Sequence, residues 1–120
     1  MVDVTWRDDP NFVLCAMAAL SADFDSVPWG DAPEWRQDVA AATARAALDT
    51  GGNPDFTRMA WFHKRVELGW RWSQVYNEAA KTHPGIVAGE LTRGGTAHWL
   101  EVCRAVRDVA RARGVRMTGA

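Results

Sequence analysis

Cysteine and lysine are scarce in this chain, tyrosine occurs once, and no apolar run is long. The 120 residues hold two cysteines, two lysines and one tyrosine against seven tryptophans and twelve arginines. One cysteine pair is no disulfide framework. Cys15 and Cys103 both fall inside apolar helical patterns, so free buried thiols and a reducing, cytoplasmic setting are expected. The run Phe12 to Leu20 is nine apolar residues, well short of the ~20 that span a bilayer, and no membrane association is expected. Met1 to Asp9 carries three acids and no basic, apolar start, so no secretory leader is expected either.

Catalytic signatures are missing too. There is no Gly-rich phosphate loop and no Gly-x-Ser-x-Gly elbow. His63, His83 and His98 lack i, i+4 partners, and no cysteine or acid stands at ligand spacing from them, so neither a metal nor another cofactor is expected. A cysteine nucleophile beside a distant histidine is disfavoured because both cysteines lie on apolar stripes. Asp8-Asp9 reads as a solvated terminus rather than an acid/base pair. An enzyme using His83 or His63 as general base is the weakest of the readings.

What is present fits one globular domain over residues 1–120, with 48% hydrophobic and 24% charged residues. The net charge of −1 argues against general nucleic-acid binding, but it averages two unlike halves. Residues 1–50 hold nine acids and three bases, and residues 51–120 hold six acids and eleven bases. An anionic partner belongs on the second half, unless the halves are complementary surfaces of one domain. The excess of arginine over lysine, with abundant alanine, reads as the base composition of a high-GC genome.

Periodicity and punctuation predict a mainly α fold, a compact bundle of about four helices with a short β-element near Gly69-Trp70. The first helix starts at Asp9-Pro10-Asn11 and runs to about Ala22. It is apolar nearly all round through Phe12, Val13, Leu14, Met17 and Leu20. After the turn-rich Ser26 to Gly30, Asp31-Ala32-Pro33-Glu34 opens a second helix that Gly51-Gly52 stops near Leu48, with a stripe of Trp35, Val39, Ala42 and Ala46. Asn53-Pro54-Asp55 opens a third, ending near Gly69, whose core stripe is read as Met59, Phe62 and Val66. Arg58, Trp61 and Arg65, at i, i+3 and i+7, share an adjacent face. Trp70-Arg71-Trp72 alternates like a short strand. The last helix runs from about Thr96 to Arg113 on Trp99, Val102, Cys103, Val106, Val109 and Ala110, with Arg104, Arg107 and Arg111 on another side.

Two segments carry a resemblance. Trp61, Lys64 or Arg65, Gly69-Trp70 and Lys81-Thr82-His83-Pro84 follow in order and spacing the motif of the ryanodine-receptor (RyR) repeat, a module also found in bacterial and bacteriophage proteins. Val27-Pro28-Trp29-Gly30-Asp31-Ala32-Pro33-Glu34-Trp35 is similar to the lead-in of its phage-type members. The resemblance covers roughly residues 27–106. Arg58, Trp72, Ser73 and Asn77 stand where the family usually has histidine, tyrosine, glycine and an acid. The resemblance implies a small helical fold and a binding or regulatory module rather than an enzyme, with nucleotide-type ligands.

The residues suit such a ligand: rings stack on a base, and arginine or lysine neutralises phosphate. Arg58, Trp61, Arg65, Trp72, Tyr76, Asn77, Lys81 and His83 are the candidate ligand-binding residues, while Trp70 is assigned to the core and His83-Pro84 doubles as a turn lock. The expected function is non-catalytic binding of a nucleotide-like or phosphorylated anion. In a phage-encoded chain this means sensing or sequestering a nucleotide signal in the host cytoplasm. The alternative is a structural or protein–protein interaction module. A homo-oligomer, a dimer first, is expected because the first helix is apolar on more sides than one small domain covers and the alanine-rich second helix permits close packing.

Overall fold

Helix boundaries here are set by short polar and glycine signals. In the computed structural model, residues 6–22, 27–84, 86 and 95–118 are described. α1 spans Pro10–Ala22, α2 Glu34–Asp49, α3 Pro54–Glu67 and α4 Gly95–Arg113. Asp9 caps α1, its Oδ1 accepting from the amides of Asn11 (3.1 Å) and Phe12 (3.2 Å). Asn53 does the same for α3 from Asp55 and Phe56, with Pro54 as the first helical residue, satisfying amides that have no partner within the helix. α2 departs from expectation: Asp31 ends a short 3₁₀ turn, Trp29–Asp31, and Pro33 occupies the cap position without a side-chain hydrogen bond. Glu34 in its first turn supplies the favourable charge instead.

The C-terminal stop of α3 sets the direction of the chain into the β-element. Gly69 adopts φ 96°, a left-handed conformation open to glycine at little cost. The turn it makes lets the Trp70 amide donate back to the Arg65 carbonyl at 2.9 Å, which folds the Trp70 ring onto the helix it has just left. Gly114 (φ 69°) ends α4 the same way, with Val115 N donating to Ala110 O at 2.8 Å. After Trp70 comes the β-element, in which β1 (Arg71–Trp72) pairs in parallel with β2 (Thr82–His83), Arg71 opposite Thr82 and Trp72 opposite His83.

α1 packs between α2 and α4, and α3 lies against α2 and α4. The core runs from Phe12, Cys15 and Ala19 of α1 through Val39, Ala44 and Leu48 of α2 to Trp99, Val102, Cys103 and Val106 of α4, and Trp61 and Trp70 close one end. Both cysteines are free and buried, and burial pushes both thiols above their usual pKa. Cys103 Sγ lies 3.3 Å from Thr57 Oγ1. Among the described residues no helix is long and apolar enough to cross a membrane.

The fold class stands: mainly α, with four α-helices among the described residues and a short β-element after Gly69-Trp70. Two helix faces do not stand. On α3 the expected core stripe faces outward, with Met59 at 39% and Val66 at 45% exposure and Phe62 only half-buried. The buried face is Thr57, Arg58, Trp61 and Arg65. Periodicity ranks arginine as a surface residue; indoles on the facing elements reverse that ranking, because they accept a guanidinium against their faces. On α2, Trp35, Ala42 and Ala46 are half-buried, and Arg36, Val39, Ala40, Thr43, Ala44, Ala47 and Leu48 lie within. A helix touched by three others has no single stripe to bury. The start of the linker at Ser26 and the apolar stretch Val87-Ala88-Gly89 lie outside the described residues.

Candidate functional site

The unusual feature of this core is a cation enclosed by rings. Arg65 is 1% exposed. Its guanidinium carbon lies 4.4 Å from the ring centre of Trp70, 4.8 Å from Trp61 and 5.2 Å from Trp35. Each ring reaches it by a different local device. Trp61 is one helical turn before it on α3, Trp70 returns through the Gly69 turn, and Trp35 arrives from the first turn of α2. Trp35 and Trp70 also meet each other, with centroids 5.1 Å apart. Such contacts are worth about 2 kcal/mol each when desolvated, and they fix the direction in which the guanidinium points.

A second buried arginine joins it. Arg36, next to Trp35, has its guanidinium carbon 5.6 Å from the same Trp35 ring centre, and its Nη2 donates to Tyr76 Oη at 3.2 Å. Tyr76 Oη in turn donates to Glu78 Oε1 at 3.3 Å. The Tyr76 ring lies 5.9 Å from Trp70 and 5.4 Å from His83, and His83 lies 5.2 Å from Trp61. The β1–β2 pairing holds His83 inside this cluster, while Tyr76 sits at its lip, 39% exposed.

Arg36 and Arg65 also line one small cleft where the four helices converge, together with Leu20, Thr43, Trp61 and Trp99. The space within it is about 10 Å³, roughly what one water molecule needs and far below the about 300–1,000 Å³ of sites that enclose a drug-sized molecule. Two fixed positive groups in such a cleft, screened from water by indoles, favour an anionic group over a neutral one. As it stands the cleft holds no more than a water-sized group, so an anion the size of phosphate enters only as the lining side chains move.

Of the eight residues expected at the site, four gather: Trp61, Arg65, Tyr76 and His83. Arg58 shares the buried face of α3, and its Nε has no hydrogen-bond partner. The other three are placed elsewhere. Trp72, on β1, is 54% exposed. Asn77 uses its side chain locally, Oδ1 accepting from Ala80 N at 3.1 Å, while its backbone pairs with Thr82. Lys81 sits at φ 56° and donates from Nζ to Leu68 O at 2.9 Å, so its charge serves the negative end of α3. Trp35, Arg36 and Glu78 were not expected at the site. Trp35 stands in the lead-in motif, but nothing in a single sequence signals that the arginine after it turns inward.

The chain matches no protein-family model, no curated protein and no solved structure. Among the described residues no group of three His, Cys, Asp or Glu side chains is placed to hold a metal ion.

Proposed function

We propose that this chain is a non-catalytic binding module of the RyR-repeat type whose ligand is a small phosphorylated or nucleotide-like anion. The observation that carries the reading is the pair of buried guanidiniums, Arg36 and Arg65, on one cleft inside an aromatic cluster. A protein seldom buries arginine without using its charge. The anionic group meets Arg36 and Arg65 as the lining of the cleft opens, and any attached ring lies outside it, against Tyr76. Trp61 is not a stacking platform for that ring, since it is buried and already faces Arg65 and Trp99. Binding rather than catalysis is supported by the two thiols, which burial keeps protonated and away from the thiolate a nucleophile needs.

The test is calorimetric titration of the chain with inorganic phosphate and a panel of mono- and cyclic nucleotides, beside Arg36→Gln and Arg65→Met. Wild type should bind at least one anion, and each variant should lose about tenfold or more, as loss of a charged hydrogen bond of roughly 1.5–3 kcal/mol requires. A wild type that binds none of them sinks the reading.

One observation favours the alternative of an interaction module. Phe56 at 61% exposure, Met59 and Val66 lie on one outward side of α3, spaced three and seven apart with the exposed His63 between the last two. Self-association is proposed through this face rather than through α1, whose Val13, Leu14 and Met17 are half-buried within the monomer.

A further inference from the structure

The outward side of α3 carries a pattern that its apolar residues alone do not complete. Met59 follows Phe56 by three positions, His63 comes four later and Val66 three after that, and all four are exposed. Steps of three, four and three keep them in one line along the helix, the a and d line of a helix pair. A histidine thus holds one of the positions that paired helices bury against each other. The line is symmetrical about the level of Trp61. A second α3 turned end for end therefore sets Phe56 opposite Val66 of the partner subunit, and Met59 opposite the partner's His63. Ala60 flanks the middle, and a small side chain there lets two backbones approach. Glu67 favours the same antiparallel order. It stands at the negative end of its own helix, where a carboxylate is disfavoured, and end-for-end pairing brings it to the positive end of the other α3.

We infer that α3 is a pH-dependent docking surface for α3 of a second copy, paired in antiparallel register, with His63 as the titrating group. This rests on the self-association reading above and adds to it the register and the control. A neutral imidazole can share a seam with apolar groups, whereas an imidazolium must be withdrawn from water there without a counter-charge. In the single chain the Phe62 ring lies 5.6 Å from His63. The charged groups nearest along its helix are Lys64 and Glu67, and these hold each other at 3.5 Å. The facing helix adds Phe56, Met59 and Val66, none of them charged. Pairing therefore opposes protonation, and acid favours separate chains. One helix face is small beside the about 800 Å² per partner of a stable interface, which keeps the pairing weak enough for one proton on each copy to undo it.

The test is sedentation-independent light scattering across a concentration series at about pH 8 and about pH 5.5, with His63→Leu beside wild type. Wild type should dimerise at the higher pH. Its dissociation constant should rise about tenfold or more at the lower, because each copy must then give up a proton to pair. His63→Leu should stay dimeric at both. Wild-type association that is the same at both pH values overturns the switch and leaves the α3 interface standing. A His63→Leu chain that dissociates in acid beside wild type does the same, since acid then acts elsewhere in the fold. A wild type monomeric at every concentration at about pH 8 removes both. The register is read by mixing Phe56→Cys with Val66→Cys chains under a mild oxidant. Disulfides should join position 56 to position 66, and joining of like chains refutes the antiparallel order.

Discussion

Replacing Arg65 with methionine separates two roles that a buried cation can have. Three indole centres lie 4.4, 4.8 and 5.2 Å from its guanidinium carbon. At about 0.5–2 kcal/mol each, depending on desolvation, they contribute roughly 2–6 kcal/mol to the folded state. Against this, withdrawing the charge from water costs several kcal/mol. An apolar side chain of similar length keeps the space among the rings filled and should therefore cost less than truncation does. Arg65→Ala should instead cost about 3–5 kcal/mol, because it empties the space among the three rings. The assay is urea unfolding followed by tryptophan fluorescence, with phosphate titration on the folded protein. Arg65→Met should fold and lose anion binding. If it is as destabilised as Arg65→Ala, the charge holds the fold together, and its assignment as a ligand receptor loses its support.

Two tryptophans two residues apart should behave in opposite ways. Trp70→Ala, in the core at the Gly69 turn, should cost about 3–5 kcal/mol in denaturant unfolding, whereas the exposed Trp72→Ala should stay within about 0.5 kcal/mol of wild type. Cys15→Ala and Cys103→Ala should each cost on the order of 1–2 kcal/mol through lost packing, with anion binding retained by the folded protein. Because burial raises both thiols above their ordinary value of about 9, the unfolded chain loses these protons first as pH rises. Stability is therefore fully present below about pH 9 and declines above it, an alkaline loss that the double Cys→Ala variant should lessen in pH-dependent melting. Light scattering at micromolar concentration should report a dimer that Phe56→Glu converts to monomer; a wild type monomeric at every concentration refutes the α3 interface.

Much of the fold can be read from short signals. Asp9-Pro10, Asn53-Pro54, Gly69 and Gly114 mark helix ends by satisfying or redirecting a few backbone groups, and a sequence displays such local chemistry directly. Trp70 can be assigned to the core for the same reason, since a glycine stop fixes where the next side chain goes. The stripe of α4 is legible as well, Trp99, Val102, Cys103, Val106 and Ala110 being buried and Val109 half-buried. That helix presents one side to α1 and α3 and the other to water, the arrangement that periodicity describes.

The candidate site is only half legible. The motif leads to Trp61, Arg65 and His83, and Tyr76 is picked out as a ring able to stack, but hydropathy gives the orientation of α3 backwards. Met59 and Val66 look like core in any hydropathy ranking, while two arginines do not. Lys81 and Asn77 suggest ligand contacts because they are polar and near the motif; their side chains meet backbone groups of Leu68 and Ala80 instead.

Where α1 and α3 begin, where α3 and α4 end, and that glycine turns Trp70 inward, follows from the order of residues alone, because each depends on groups within a few positions of one another. Which face of α3 is inside, and which arginines are enclosed, follows from packing. Burial of Arg65 depends on Trp35 being brought thirty positions along the chain to meet Trp61 and Trp70, and the hydrogen bond from Arg36 to Tyr76 crosses forty. The free energy of a guanidinium in a core is set by the rings that surround it, and those rings become neighbours only when the helices pack.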